Sequence, residues 1–281
     1  MSELVYLNGE ILPYEQATVH IDDRGFTLAD GIYDVIRVYN GRPFEIHRHI
    51  RRIRRSAESM RIELDTSPEQ IADIARDLIA RQGFQDAQIY VQITRGVAPR
   101  GHAFPKGVKP TVLVAVRPPI NPSPERVDRG EAAITVPDDR WGRCDVKTIG
   151  LTANVLARQR AVDAGVYEAI FVRDGYVTDC ASCNAFAVFG QTVITAPKSN
   201  YILGGITREV VLEIARGNGL EALEESFSVD RFRRADEIFL TGTNTGIMPI
   251  ITLDGMSVGS GVPGPVTRRL VELFRAKTAA N

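Results

Sequence analysis

The sequence predicts an α+β protein in two domains. Three observations carry that prediction: Asn-Gly and Asp-Gly pairs that close hairpins, a capped amphipathic helix among the strands, and one proline-rich break. Asn8-Gly9, Asn40-Gly41 and Asp174-Gly175 each separate short β-prone runs, the pattern of two-residue turns whose central residues take positive φ. The chain therefore begins with antiparallel strands and not with a nucleotide-binding βαβ unit. Ser67-Pro68-Glu69-Gln70 reads as a capping box with proline at the first helical position. Ile71, Ile74, Ala75, Leu78 and Ile79 then mark one apolar helix face as far as Gly83. Ile89, Val91 and Ile93 alternate as a strand, and Thr111 to Val116 reads as another. A sheet with helices on one side follows.

The stretch from Pro118 to Pro124 cannot pair as a central strand or continue a helix, so residues 118–125 are expected to link a domain 1–117 to a domain 126–281. Beyond it the pattern gives a strand near Ala132 to Val136, a loop carrying Lys147, and a helix from Thr152 to Asp163 ended by Gly165. Hairpins follow, then a helix after Thr207, a strand at Glu237 to Thr241 and a last helix from about Pro265.

A chain of 281 residues with 44% hydrophobic and 25% charged residues has the make-up of an ordinary globular protein. Its formal charge of -1 supplies no general attraction to nucleic acid or anionic membrane. No apolar run approaches the roughly 20 residues of a membrane span, and Met1-Ser2-Glu3-Leu4 has no secretory pattern. A cytoplasmic location is expected. Cys144, Cys180 and Cys183 offer no second pair for a zinc site and no thioredoxin-like setting, so no metal is expected and all three read as free thiols packed as small residues.

The chemistry lies in Arg143-Cys144-Asp145-Val146-Lys147 and in Thr178-Asp179-Cys180-Ala181-Ser182-Cys183-Asn184. Alone, Lys147 is more simply a side chain snorkelling from a strand end. The other lysines named by position, Lys106, Lys109, Lys198 and Lys277, sit in turn-like or terminal stretches, whereas Val146, Ile149 and Leu151 enclose Lys147. An enclosed amine answered by a carboxylate in a small-residue loop suits pyridoxal 5'-phosphate. The amine would form a Schiff base with the cofactor aldehyde and later move the substrate α-proton, and Asp179 would keep the pyridine nitrogen protonated.

With these motifs the sequence resembles the fold-type-IV pyridoxal-phosphate enzymes, and among them the D-amino-acid aminotransferases. The resemblance runs from Tyr6-Leu7-Asn8-Gly9 to Thr267-Arg268. It includes Asp30-Gly31-Ile32-Tyr33-Asp34-Val35, His49-Ile50-Arg51-Arg52-Ile53, Pro99-Arg100-Gly101-His102, Gly204-Gly205-Ile206-Thr207-Arg208 and Thr241-Gly242-Thr243-Asn244-Thr245. It implies an α/β two-layer N-terminal domain, a C-terminal β-pseudobarrel with helices, and the cofactor at their interface.

By the same resemblance Arg52, Gly205, Ile206, Thr207 and Thr243 hold the phosphate, and Leu203 packs on the cofactor ring. Tyr33, Arg100 and His102 bind the substrate carboxylate, the last two reaching in from the neighbouring subunit of a homodimer. Read without it, the glycine pair is a turn, Leu203 is core, and Arg100 and His102 are surface cations. The implied reaction moves an amino group from a D-amino acid, such as D-alanine, to a 2-oxo acid, 2-oxoglutarate or pyruvate. The rivals of the same fold are an (R)-selective amine transaminase, a branched-chain L-amino-acid aminotransferase and aminodeoxychorismate lyase. One departure stands out: the family has glutamate where this chain has Asp179, and a carboxylate one methylene shorter is expected to make a weaker contact with the ring nitrogen.

Overall fold

The computed structural model describes residues 3–281. The chain divides into two compact units. The first runs to Ile120 and takes in Val146–Gly150 and Asn281, and the second comprises Asn121–Asp145 and Leu151–Ala280.

The first unit contains β1 (Leu4–Leu7), β2 (Glu10–Pro13), α1 (Arg24–Leu28), β3 (Gly31–Tyr39), β4 (Arg42–Pro43), α2 (Ile46–Met60), α3 (Pro68–Gln82), β5 (Ala87–Thr94) and β6 (Thr111–Arg117). Its strands form one sheet in the order β2-β1-β6-β5-β3-β4, with every pairing antiparallel. Asn8 and Gly9 have φ of 50° and 104°, Asn40 and Gly41 of 52° and 73°, so both pairs make the positive-φ turns that match strand twist. At the start of α3 the Ser67 hydroxyl accepts from the Gln70 N–H and the Gln70 side chain accepts from the Ser67 N–H. Gly83 ends that helix in the left-handed region. Period-two alternation in β5 and period-3.6 spacing in α2 and α3 meet in one core, where Ile89, Val91 and Ile93 pack with Ile50, Ile53, Ala57, Ile71, Ala75 and Leu78.

The second unit contains α4 (Pro124–Arg129), β7 (Glu131–Pro137), α5 (Thr152–Asp163), β8 (Glu168–Arg173), β9 (Tyr176–Cys180), β10 (Asn184–Phe189), β11 (Thr192–Thr195), α6 (Ile206–Gly217), β12 (Glu221–Glu224), α7 (Val229–Arg233), β13 (Glu237–Gly242), β14 (Gly246–Leu253), β15 (Met256–Ser257) and α8 (Pro265–Ala279). Pro124 opens α4, with the Ser123 hydroxyl as its cap. A proline at the first helical position has no N–H to leave unpaired, so the irregular stretch ends at residue 123.

The strands of this unit run in the order β12-β11-β10-β13-β14-β7-β8-β9, with β15 on β14. Parallel β7 and β8 are joined through α5 as a crossover. At the far edge β9 turns through Ala181-Ser182, where the Cys180 N–H donates to the Cys183 carbonyl at 2.9 Å, and continues as β10, an inner strand of the same sheet. A strand at the edge can pass so tightly into an inner one only if the sheet curls on itself, which makes a half-barrel. Phe186 and Phe239 stack 4.7 Å apart on adjacent strands of it. Asp174-Gly175 turns β8 into β9, and Asp254-Gly255, a fourth pair of the same kind, turns β14 into β15. Among the described residues no helix is long and apolar enough to cross a membrane.

Candidate active site

In the first unit the site is built on β3 and α2. Alternation along β3 sends Ile32, Asp34 and Ile36 inward and leaves Tyr33 half-buried on the other face. His49, Arg52 and Ser56, at helical spacings of three and four, line one buried edge of α2. Asp34 meets them: its Oδ2 accepts from Arg52 Nε at 2.8 Å, and its Oδ1 accepts from Arg52 Nη2 at 2.8 Å and lies 2.7 Å from His49 Nδ1.

Burial pushes the Asp34 pKa upward, but Arg52 and His49 outweigh it and hold the carboxyl well below its ordinary range. Burial lowers His49 below its ordinary value against the pull of Asp34. Because the Asp34 carboxylate can only accept, His49 Nδ1 is the donor in their 2.7 Å contact. That assignment makes the 3.3 Å approach of Arg52 Nη2 to the same nitrogen a contact between two donors.

Lys147 joins this group through its backbone. The sequence suggests a strand end, whereas the lysine lies in an irregular segment docked along β3. The Tyr33 N–H donates to the Lys147 carbonyl at 3.0 Å and the Ile149 N–H to the Gly31 carbonyl at 3.1 Å, with a bridge between Ile32 and Thr148. A Cβ on Gly31 would stand 2.7 Å from the Ile93 carbonyl oxygen and 2.9 Å from Ile149 Cδ1, so only glycine allows this approach. The Lys147 N–H lies 3.5 Å from Ser56 Oγ, and Nζ stands 4.2 Å from the centroid of the Tyr33 ring.

Arg100 and His102 are exposed on the loop that follows β5. Arg24 anchors that loop by donating to the Gly101 carbonyl at 2.5 Å, and Arg95 stacks 3.7 Å over Phe104. Both arginines are tied to Asp30, with Nε to Oδ2 at 2.8 Å in each case. The loop backbone is thus fixed while the side chains of Arg100 and His102 are exposed.

In the second unit β9 carries Asp179, its next-to-last residue, which is 4% exposed. Its Oδ1 accepts from Asn184 Nδ2 at 2.9 Å and its Oδ2 from the Leu203 N–H at 3.2 Å, while Arg140 Nη1 lies 3.4 Å from Oδ2. Burial raises the Asp179 pKa to about 6 against the opposing charge of Arg140. Asn184 also donates to the Leu203 carbonyl at 2.9 Å, and a Cβ on Gly205 would collide with Asn184 Oδ1. Asp179, Asn184, Leu203 and Gly205 are therefore one interlocked group.

Gly205 precedes α6, whose first residues are the buried Ile206 and Thr207, and no side chain caps that end. Thr243 lies half-buried in the turn between β13 and β14. The three cysteines are free and buried. Burial raises each thiol above its ordinary pKa, Cys183 to about 12, so they are packed thiols and not thiolates.

Sequence reading passed over Asp34, His49, Asp138, Arg140 and Asn184. Signals for them exist: a carboxylate at an inward position of an apolar strand, a histidine one helical turn before Arg52, and the charged run Asp138-Asp139-Arg140 at the end of β7.

The donors fit a phosphorylated pyridine. In the first unit a buried guanidinium suits a phosphate; in the second an uncapped helix start suits a phosphate and a buried carboxylate suits a protonated ring nitrogen. Residues 31–253 match the family model of amino-transferase class IV, and the chain belongs to that family. It is an aminotransferase, and its α+β architecture with a curled half-barrel is fold type IV. A D-alanine aminotransferase of Staphylococcus haemolyticus is 40% identical over 271 residues, 96% of each chain. That of Bacillus licheniformis is 38% identical over 266 residues, 95% of this chain and 94% of its own. The branched-chain amino acid aminotransferase of Escherichia coli superposes with a TM-score of 0.93 at 27% identity, covering 100% of this chain and 96% of that one. The branched-chain enzyme of the archaeon Thermoproteus uzoniensis, crystallised with norvaline, gives 0.90 at 26% identity over 100% and 96%.

Proposed function

We propose that this aminotransferase uses pyridoxal 5'-phosphate to move the amino group of a D-amino acid, D-alanine for example, to 2-oxoglutarate or pyruvate. The observation that carries the reading is the likeness to D-alanine aminotransferases at 40% identity over 96% of the chain. The branched-chain enzymes share the fold with a TM-score of 0.93 but only 27% of the residues. That likeness supports the second reading, an L-amino-acid transaminase, less strongly.

When bound, pyridoxal phosphate supplies an aldehyde that accepts the substrate amine and a ring that draws electrons from the breaking bond. The Lys147 amine holds the cofactor and then carries the proton at the substrate α-carbon. Asp179 would pair with the ring nitrogen, and Leu203 would pack on the ring. Arg52, Gly205, Ile206, Thr207 and Thr243 would hold the phosphate. Tyr33, against which the Lys147 amine rests, binds the substrate carboxylate with Arg100 and His102.

Exposed Arg100 and His102 on an anchored loop would serve a neighbouring subunit, which makes the proposed active form a homodimer. Exposed Ile21, Phe26 and Val97 lie near that loop and support such an association, because a bridge joins Asp23 to Val97. The test is a rate comparison of D-alanine, L-leucine and (R)-1-phenylethylamine with either 2-oxo acid. D-alanine should be fastest, and faster turnover of L-leucine rejects the proposal.

A further inference from the structure

We infer that Arg140 is a positioning residue for the ring-nitrogen contact: it keeps the short Asp179 carboxylate ionised and fixed through Oδ2, leaving Oδ1 to meet the ring. The inference rests on Asp179 being the partner of the cofactor nitrogen.

Arg140 is 8% exposed and held on several sides. Its Nε donates to Asp138 Oδ1 at 2.9 Å, and its Nη2 donates to Asp138 Oδ2 at 3.0 Å and to the Tyr201 carbonyl at 2.9 Å. Its guanidinium carbon lies 4.4 Å from the centroid of the Phe171 ring. Arg173 braces the arrangement by donating to the Arg140 carbonyl at 2.9 Å and to Asp138 Oδ2 at 3.3 Å. Thr178, the neighbour of Asp179 on β9, donates its hydroxyl to Asp138 Oδ2 at 2.9 Å. With Nε and Nη2 committed, the remaining nitrogen, Nη1, is aimed at Asp179.

The 3.4 Å separation is too long for a strong charge-assisted hydrogen bond, which closes to about 2.7–2.9 Å. The contact is a long hydrogen bond in which charge attraction dominates. A carboxylate has about four lone-pair sites, and here Asn184 takes one on Oδ1 and the Leu203 N–H takes one on Oδ2. Arg140 adds a third donor, also on Oδ2, so Oδ1, which takes only Asn184 of these three, is the oxygen that can meet a ring N–H donor.

Other titratable groups of this unit coupled to Asp179 include the thiols of Cys144, Cys180 and Cys183. Burial keeps them protonated and uncharged. Asp138 lies behind Arg140, its charge matched by Arg140 and Arg173. Arg140 is thus the cation that offsets burial at Asp179. Without it the carboxyl would be neutral at neutral pH, and a neutral acid would not keep a ring nitrogen protonated. A longer glutamate could reach the ring from a different root, but Asp179 depends on being held where it is.

The experiment follows cofactor retention by the holoenzyme, dialysed to equilibrium against falling pyridoxal phosphate at about pH 6, 7, 8 and 9 and read by absorbance. Parent, Arg140→Lys, the charge-balanced double variant Asp138→Asn/Arg140→Gln, and Asp179→Asn are compared. Losing a neighbouring cation raises a carboxyl pKa by about 1–3 units. The double variant should therefore bind roughly tenfold or more weakly than the parent at about pH 7 and recover to within about threefold near pH 9. Arg140→Lys, which keeps the charge, should stay close to the parent throughout. Equal weakening of the double variant at every pH, or no weakening, overturns the inference. If the double variant fails to fold, the Asp179 carboxyl is titrated by carbon-13 NMR in the parent and in Arg140→Lys, and the same value in a charge-neutral Arg140→Met chain overturns it. Asp179→Asn separates the two levels: unchanged retention there rejects Asp179 as the ring partner, whereas weaker retention with no pH shift in the Arg140 variants rejects only this inference.

Discussion

Asp34 decides how Arg52 presents its charge, because both oxygens hold the Nε–Nη2 edge of that guanidinium at 2.8 Å. Asp34→Asn removes the charge and half of the acceptor geometry while keeping the shape. Breaking a buried pair in this way costs about 3–5 kcal/mol, which should appear as a lower thermal midpoint. The specific sign is in cofactor choice. Affinity for pyridoxal phosphate should fall, while affinity for pyridoxal, which has no phosphate for Arg52 to bind, should change little. Equal loss for both compounds would assign Asp34 to the core alone.

The two buried carboxylates give opposite pH dependences. Asp34 has its pKa depressed in the folded state, so its stabilisation is present above the ordinary carboxylate range and is lost as pH falls below about 4. Asp179 has its pKa raised from 3.8 to about 6 in the folded state. Between those values the folded chain holds a proton that the unfolded chain has released, so this group's contribution to stability declines as pH rises. Thermal unfolding of the cofactor-free protein across that window should flatten in Asp179→Asn. A parent and variant with parallel profiles would contradict the shift.

At the level of the element, the Lys147 segment works as a short added edge of β3, and Gly31 is what admits it. Gly31→Ala must push either the Ile93 carbonyl or Ile149 away, so kcat should fall at least tenfold, by analogy with other small displacements of a reacting group. Far-ultraviolet circular dichroism should be unchanged, and an unaltered kcat would mean that the segment docks independently of Gly31. Ser67→Ala tests an element remote from the chemistry: loss of the capping box should cost about 1 kcal/mol, read as a lower thermal midpoint with kcat unaffected.

The same elements show what the chain made legible. Local signals, such as the Asn-Gly turns, the Ser67 box and the alternation of β5, are complete within a few residues and are found where expected. The lysine segment reads as a strand end because its apolar neighbours suggest one. Its real partner is the edge of β3, more than a hundred residues earlier in the chain, and no local pattern encodes that pairing. Arg140 and His49 were hidden for a similar reason: each looks like a solvated charge until Asp138 or Asp34, placed by a strand, turns out to face it.

For the whole molecule, the proposed exchange of Arg100 and His102 between subunits can be tested by complementation. Lys147→Ala and Arg100→Ala should each be nearly inactive with D-alanine. After mixing under conditions that exchange subunits, activity should return to about one quarter of the parent, the share of sites that receive one intact half from each chain. No recovery after demonstrated exchange would assign the loop to its own subunit.

The central claim is that the amine of Lys147 carries the cofactor. Reducing the pyridoxal-phosphate-loaded protein with borohydride and mapping its peptides by mass spectrometry tests it most directly. One phosphopyridoxyl group is expected, on the peptide containing Lys147, and none in Lys147→Ala. A label fixed on another lysine, or none at all in the loaded parent, would contradict it.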